Sequence, residues 1–175
     1  MAETFVDFHP LRLLGRLLPS LTLAFMVVLG LMLPANPWTG QSMPPLLLMA
    51  VFVWAVYRPE FLPLPVVFGF GVIFDALLGL PLGISAVLLV AIYWPVTLQR
   101  RIFLREPFPF LWLAFAVILS VVELLRWVLV AALTLELPPI GLVLANIVFG
   151  CGIFPIIGWL LIRLNHWIGS LDYAN

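Results

Sequence analysis

The sequence predicts an all-α, polytopic membrane protein with six transmembrane helices, and three observations lead to this fold class. Hydrophobic residues make up 65% of the 175-residue chain and charged residues only 9%, and the mean hydropathy is +1.23. Since water-soluble domains carry about 25% charged residues, so few charges cannot cover a surface that faces water. The apolar residues also fall into six runs separated by breaks rich in Pro, Gly or Arg, as membrane helices do.

The six runs follow one another within a single integral membrane domain, residues 1–175. The expected helices cover approximately residues 17–33, 46–57, 64–78, 83–98, 109–135 and 139–164. The uncharged loop "PANPWTGQSMPP" follows the first. The second helix rises only about 18 Å, against a hydrocarbon core of roughly 30 Å. It therefore borrows residues from its flanks, or it lies where the bilayer is thin or where protein covers it.

The arginines predict the orientation of the chain, because basic loops stay on the cytoplasmic side of a membrane. Seven of the eight arginines fall on alternating segments that share one side, and the loops on the other side carry none. The seven are Arg12, Arg16, Arg58, Arg100, Arg101, Arg105 and Arg163. We therefore expect a multi-pass protein of the inner membrane with both termini in the cytoplasm. Aromatic residues near helix ends, such as Tyr93 and Trp94, are typical of interfacial anchors.

Several classes of function are disfavoured by composition and motifs. The net charge of zero argues against a nucleic-acid partner, because phosphate binding requires a basic face. A single cysteine, Cys151, excludes an intramolecular disulfide, and no Cys/His cluster predicts a metal site. No HExxH, GxSxG, CxxC or Walker pattern occurs. We expect neither an enzyme nor a cofactor.

Three charged residues, Asp75, Glu123 and Arg126, lie well inside apolar segments. Charges there cost about 2.5–3.5 kcal/mol on insertion scales, so they face protein or water rather than lipid. At 1.5 Å per residue, Asp75 lies near the midplane, while Glu123 and Arg126 lie toward the outer leaflet. The last helix brings Asn146 to a similar depth. We expect an intramembrane polar cluster of Asp75, Glu123, Arg126 and Asn146.

Asp75 also belongs to a stripe of small residues. Gly71, Asp75 and Gly79 recur every four residues, and Gly83 continues the spacing through the turn that contains Pro81. Small residues at this spacing allow membrane helices to approach closely, so this stripe predicts a helix-packing motif. Asp75 then accepts hydrogen bonds from backbone, a hydroxyl or Arg126. The alternative is a proton or ligand site in a cavity.

The segment Trp54–Val87, "WAVYRPEFLPLPVVFGFGVIFDALLGLPLGISAV", resembles the signature region of the rod shape-determining protein MreD family. That family has an arginine-proline loop, a helix with a glycine-flanked aspartate, and a proline-leucine-glycine turn. The matching residues are Tyr57, Arg58 and Pro59 in the loop, Gly71, Asp75 and Gly79 in the helix, and Pro81, Leu82 and Gly83 in the turn. The resemblance assigns Arg58 and Pro59 to a cytoplasmic loop motif.

The resemblance implies a non-catalytic inner-membrane scaffold of the machinery that elongates the bacterial cell wall. Such a subunit binds MreC and helps position peptidoglycan synthases for lateral wall growth. Through the complex it is connected to MreB, RodA and the partner transpeptidase of RodA, and membrane lipid surrounds it. The family's fold is similar to the substrate-binding subunit of energy-coupling-factor transporters. This similarity and the buried polar residues leave an alternative function, a small-molecule or lipid-binding membrane carrier subunit.

Overall fold

The computed structural model describes residues 10–32, 45–135 and 137–172, and these form six α-helices. The helices are α1 Pro10–Met32, α2 Leu46–Tyr57, α3 Leu64–Leu78, α4 Ile84–Phe103, α5 Phe108–Thr134 and α6 Ile140–Asp172. A short 3₁₀ turn, Pro59–Phe61, links α2 to α3. The predicted all-α class with six helices is confirmed. The uncharged loop after α1 lies outside the described residues.

Local sequence accounts for several helix ends. Pro63 precedes α3 and Pro107 precedes α5 in extended conformation, and a proline at the start of a helix loses no intrahelical hydrogen bond. Gly79 ends α3 in the left-handed conformation, with φ of 65°, which glycine adopts without the cost that a side chain adds. The bounds of α2 and α3 are those expected from the apolar runs.

The twelve-residue α2 lies at the centre of the bundle. Every residue from Leu46 to Val56 is buried, and α2 packs against α1, α4, α5 and α6. A helix that is apolar on all sides is stable only when other helices surround it. Of the explanations for its shortness, the structure favours cover by protein, because the neighbouring helices shield α2 completely.

Aromatic rings fill the space between α2 and its neighbours. The Phe52 ring lies 5.5 Å from the Phe115 ring and 5.9 Å from the Phe103 and Phe154 rings, centroid to centroid. Phe115 and Phe154 stack with centroids 4.0 Å apart. Such pairs add about 0.5–1.5 kcal/mol each beyond the burial of apolar area. These ring contacts join α2 to α4, α5 and α6.

The apolar segments of the six helices fall into two groups by length. Ile84–Phe103, Phe108–Thr134 and Ile140–Trp167 are long and apolar enough to cross a membrane, whereas Leu17–Met32, Leu46–Tyr57 and Leu64–Leu78 are shorter apolar segments. The expectation of six full spans is therefore met by length and composition for three helices. Large apolar side chains such as Leu113, Val117 and Val148 are more than half exposed, which is compatible with a surface that faces lipid.

Candidate functional site

Asp75 lies in the last turn of α3, and its carboxylate is completely buried. Oδ2 accepts the backbone N–H of Gly83 at 2.9 Å and that of Ser85 at 3.0 Å, and Oδ1 accepts the Ser85 N–H at 3.2 Å. The first N–H groups of a helix have no partner within the helix, and a negative charge near them is stabilised by the positive end of the helix dipole. Since Gly83 precedes α4 and has no side chain, Asp75 caps α4 from the neighbouring helix.

Of the three donors considered for Asp75, which were backbone, a hydroxyl and Arg126, the structure shows backbone. Arg126 instead donates from a terminal guanidinium nitrogen to Glu123, at 3.3 Å. The carboxylate reaches back over the turn because α3 ends only three residues later, at Leu78. The midplane depth assigned to Asp75 stays a prediction.

The small residues of the expected packing motif divide into two groups. At Gly71, a Cβ atom would collide with the backbone of Ala86 and lie 2.7 Å from its nitrogen, so α3 and α4 touch there. At Gly79 and Gly83, a Cβ would meet nothing within 4 Å, but φ is +65° and +100°. These two glycines permit the backbone of the turn around Pro81 and do not provide a close helix contact.

Glu123, Arg126 and Asn146 come together between α5 and α6. Oε1 of Glu123 accepts from Arg126, and Oε2 accepts the Asn146 side-chain amide N–H at 3.2 Å. Glu123 is almost fully buried, whereas about a quarter of the Arg126 side chain is exposed. The structure therefore joins three members of the expected polar cluster by hydrogen bonds. Asp75 is held separately by α4.

A cavity of about 190 Å³ adjoins this group. It lies where α3 ends and α4 begins. The residues that line it include Ser85, Glu123, Arg126, Trp127, Pro138 and Asn146. Leucine, valine and phenylalanine side chains form most of the remaining wall. Trp127 does not present its N–H to the cavity as a free donor, because that group donates to the Pro138 carbonyl at 2.8 Å.

Two polar atoms beside the cavity lack a hydrogen-bond partner. They are the Ser85 hydroxyl oxygen and the Nε of Arg126. Ser85 was not predicted as a site residue, because a serine near the start of an apolar helix resembles many others. The one available signal was its position two residues after Gly83. Among the described ranges, no three His, Cys, Asp or Glu side chains lie close enough to hold a metal ion.

The Arg58–Pro59 loop lies at the opposite end of the bundle. Nε of Arg58 donates to Oδ1 of Asn165 in α6 at 2.9 Å, and the guanidinium lies 5.4 Å from the centre of the Phe61 ring. The Tyr93 hydroxyl donates to the Leu62 carbonyl at 2.6 Å, so this tyrosine is a buried contact and not an interfacial anchor. These contacts fix the loop to both α4 and α6.

Comparison with known proteins supplies the family. The family model described as rod shape-determining protein MreD matches residues 12–164 of the 175-residue chain. No curated protein and no solved structure matches the chain significantly. The match includes α2 to α5 completely and most of α1 and α6, and it contains the glycine-flanked Asp75 and the Arg58–Pro59 loop. The chain therefore belongs to the rod shape-determining protein MreD family.

Proposed function

We propose that this protein is a non-catalytic scaffold subunit of the bacterial elongation machinery. In this function it binds MreC in the inner membrane and helps to position peptidoglycan synthases for lateral wall growth. MreB, RodA and the partner transpeptidase of RodA are reached through the complex. The observation that carries the proposal is the family match over residues 12–164, which supports a role in determining rod shape.

Two structural features support a scaffold. Packing and hydrogen bonds hold both ends of the bundle, through Asp75 at one end and Arg58 at the other. The exposed surface of the long helices is apolar, which suits contact with lipid or with the membrane helix of a partner. A bundle held at both ends in this way can position partners at its surface.

We further propose that all six helices lie in the membrane, with both termini in the cytoplasm. The Arg58 loop follows α2, and the Arg100–Arg105 segment follows α4. Glu60 and Arg100 form an exposed ion pair, 3.4 Å apart, and so join the two segments at one end. Basic loops at this end support a cytoplasmic location for it.

The test is co-purification from a rod-shaped bacterium that expresses MreC. The tagged protein, extracted in mild detergent, should carry MreC in a fixed ratio, and its depletion should round the cells. An unrelated tagged multi-pass protein of the same membrane is the control. Recovery of the protein without MreC, together with normal rods on depletion, would refute the proposal.

A carrier or lipid-binding subunit, similar in fold to those of energy-coupling-factor transporters, is the second candidate. The cavity of about 190 Å³ with unpartnered polar atoms favours it. In the same purification, this candidate predicts a tightly bound small molecule and no stoichiometric bitopic partner. Mass spectrometry of the intact protein distinguishes the two results.

A further inference from the structure

The cavity between the helices has one polar wall and is otherwise apolar. Ser85 from α4, Glu123 and Arg126 from α5, and Asn146 from α6 form the polar wall. Its volume of about 190 Å³ somewhat exceeds that of an engineered apolar cavity, about 150 Å³, that accepts benzene. The space therefore accommodates a small head group with the first part of an apolar chain.

The polar wall has hydrogen-bonding capacity that the protein does not use. The Ser85 side chain is 1% exposed and its hydroxyl has no partner, and the buried Nε of Arg126 has none. Buried polar groups in folded proteins nearly always have partners. Glu123 accepts one hydrogen bond at each oxygen, although a carboxylate has about four acceptor positions. The wall therefore offers a donor, a hydroxyl and a spare acceptor.

The charges of the wall select an uncharged ligand. The Arg126 guanidinium is paired with Glu123 at 3.3 Å, so the pair presents no net charge to the cavity. An anionic group near Arg126 also meets the Glu123 carboxylate, and a cationic group near Glu123 also meets Arg126. A hydroxyl suits both residues, because its oxygen accepts from the Arg126 Nε–H while its proton is donated to Glu123.

We propose that the cavity binds the hydroxyl-bearing head of an uncharged, chain-bearing lipid. The apolar wall, which includes Phe74, Leu78 and Leu88, covers the first carbons of the chain. Because the cavity is partly open, the rest of the chain extends into the surrounding bilayer. The proposal concerns this cavity only and does not depend on the scaffold function or on transport.

A photoreactive diacylglycerol provides the probe. The full chain is placed in phosphatidylcholine nanodiscs, crosslinked, and digested for mass spectrometry. Labels should concentrate on residues of the cavity wall, such as Leu80 and Leu142. Unlabelled dioleoylglycerol should suppress them at a concentration at least tenfold below that of dioleoyl phosphatidic acid, which has the same chains and an anionic head.

The competitors distinguish the possible sources of the hydroxyl. Suppression by glycerol as effective as by dioleoylglycerol would assign the head-group site to a free polyol and overturn the lipid. Equal suppression by phosphatidic acid would overturn the uncharged head. Labels spread over all exposed helix faces without competition would mean that the cavity holds only water, and would overturn the site. None of these outcomes refutes the scaffold proposal.

A pair of serine variants isolates the hydroxyl contact. Ser85→Ala should weaken competition by dioleoylglycerol roughly fivefold, the effect of one neutral hydrogen bond. Asp75 is bound by the Ser85 backbone N–H, so the cap on α4 survives the change. Ser120→Ala is the matched control, because that hydroxyl donates to the Ala116 carbonyl within α5. Equal competition by dioleoylglycerol in both variants would contradict the proposal. If Ser85→Ala does not accumulate, the competition measured with the wild-type protein decides the question.

Discussion

Asp75 is a buried carboxylate whose partners are two backbone N–H groups, and this predicts an ordered series of variants. Asp75→Asn keeps one acceptor oxygen and should lower the free energy of unfolding by about 1–2 kcal/mol. Asp75→Leu leaves the N–H groups of Gly83 and Ser85 without a partner and should cost about 3–5 kcal/mol. Unfolding of the purified protein by titration with dodecyl sulfate measures both.

Thr97→Val is the control for this series, because the Thr97 hydroxyl bonds only to the nearby Trp94 carbonyl on the exposed side of α4. Its cost should stay below about 0.5 kcal/mol. Cell shape provides a second readout. If Asp75 is a structural contact, cells with Asp75→Asn stay largely rod-shaped. A stable Asp75→Asn protein that leaves the cells round would instead favour the alternative of a proton or ligand site.

Glu123 is the partner of Arg126, and this changes which double variant should show compensation. Arg126→Leu leaves a buried carboxylate without its cation and should cost about 2–3 kcal/mol, below the value for a fully buried pair because Arg126 is partly exposed. Adding Glu123→Gln should recover on the order of 1–2 kcal/mol of this loss.

Arg126→Leu combined with Asp75→Asn is the control double variant. The losses in free energy of unfolding from the two single changes should add in it. Asp75 bonds to α4 backbone and not to Arg126. The same titration with dodecyl sulfate gives both coupling energies. Strong coupling of Arg126 to Asp75, with none to Glu123, would contradict the hydrogen bonds described above.

At the scale of the helix, three glycines of the α3 region should respond differently to alanine. Gly71→Ala places a methyl group against the Ala86 backbone and should cost about 2 kcal/mol or more, because backbone cannot move aside cheaply. Gly79→Ala should cost about 1 kcal/mol through its positive φ alone. Gly69→Ala, with open space around it, is the control and should be neutral or slightly stabilising.

Accumulation in the membrane and the unfolding titration measure this glycine series. The expected order of destabilisation is Gly71 first, Gly79 second and Gly69 last. The same order should hold for the proposed assembly with MreC, because loss of the α3–α4 contact alters the whole bundle. Equal tolerance of alanine at Gly71 and Gly69 would mean that the two helices do not touch.

At the scale of the whole molecule, the proposed orientation makes opposite ends of the bundle accessible from opposite sides. Leu104 and Leu137 are both exposed, and they lie in the loops after α4 and after α5. With Cys151 replaced by serine, Leu137→Cys in intact spheroplasts should react with an impermeant maleimide and Leu104→Cys should not. Both should react after lysis, which is the control. The reverse pattern would place the termini outside.

The amino-acid sequence by itself determined the membrane class, the six helices and most of their bounds, because apolar runs and Pro, Gly or Arg breaks act within one segment. It also singled out Asp75, Glu123, Arg126 and Asn146, since charged or amide side chains in apolar runs need partners. The family resemblance rested on the same local patterns around Arg58 and Asp75, and the family match extends it to residues 12–164.

Only the tertiary structure decided which groups are the hydrogen-bond partners of these polar side chains. Periodicity places residues on a face of one helix, but the position of one helix against another depends on packing among all of them. Asp75 therefore pairs with the start of α4, and Arg126 with Glu123. The full burial of α2 and the unpartnered Ser85 hydroxyl could not be predicted from the sequence either. Each depends on several helices that meet around it.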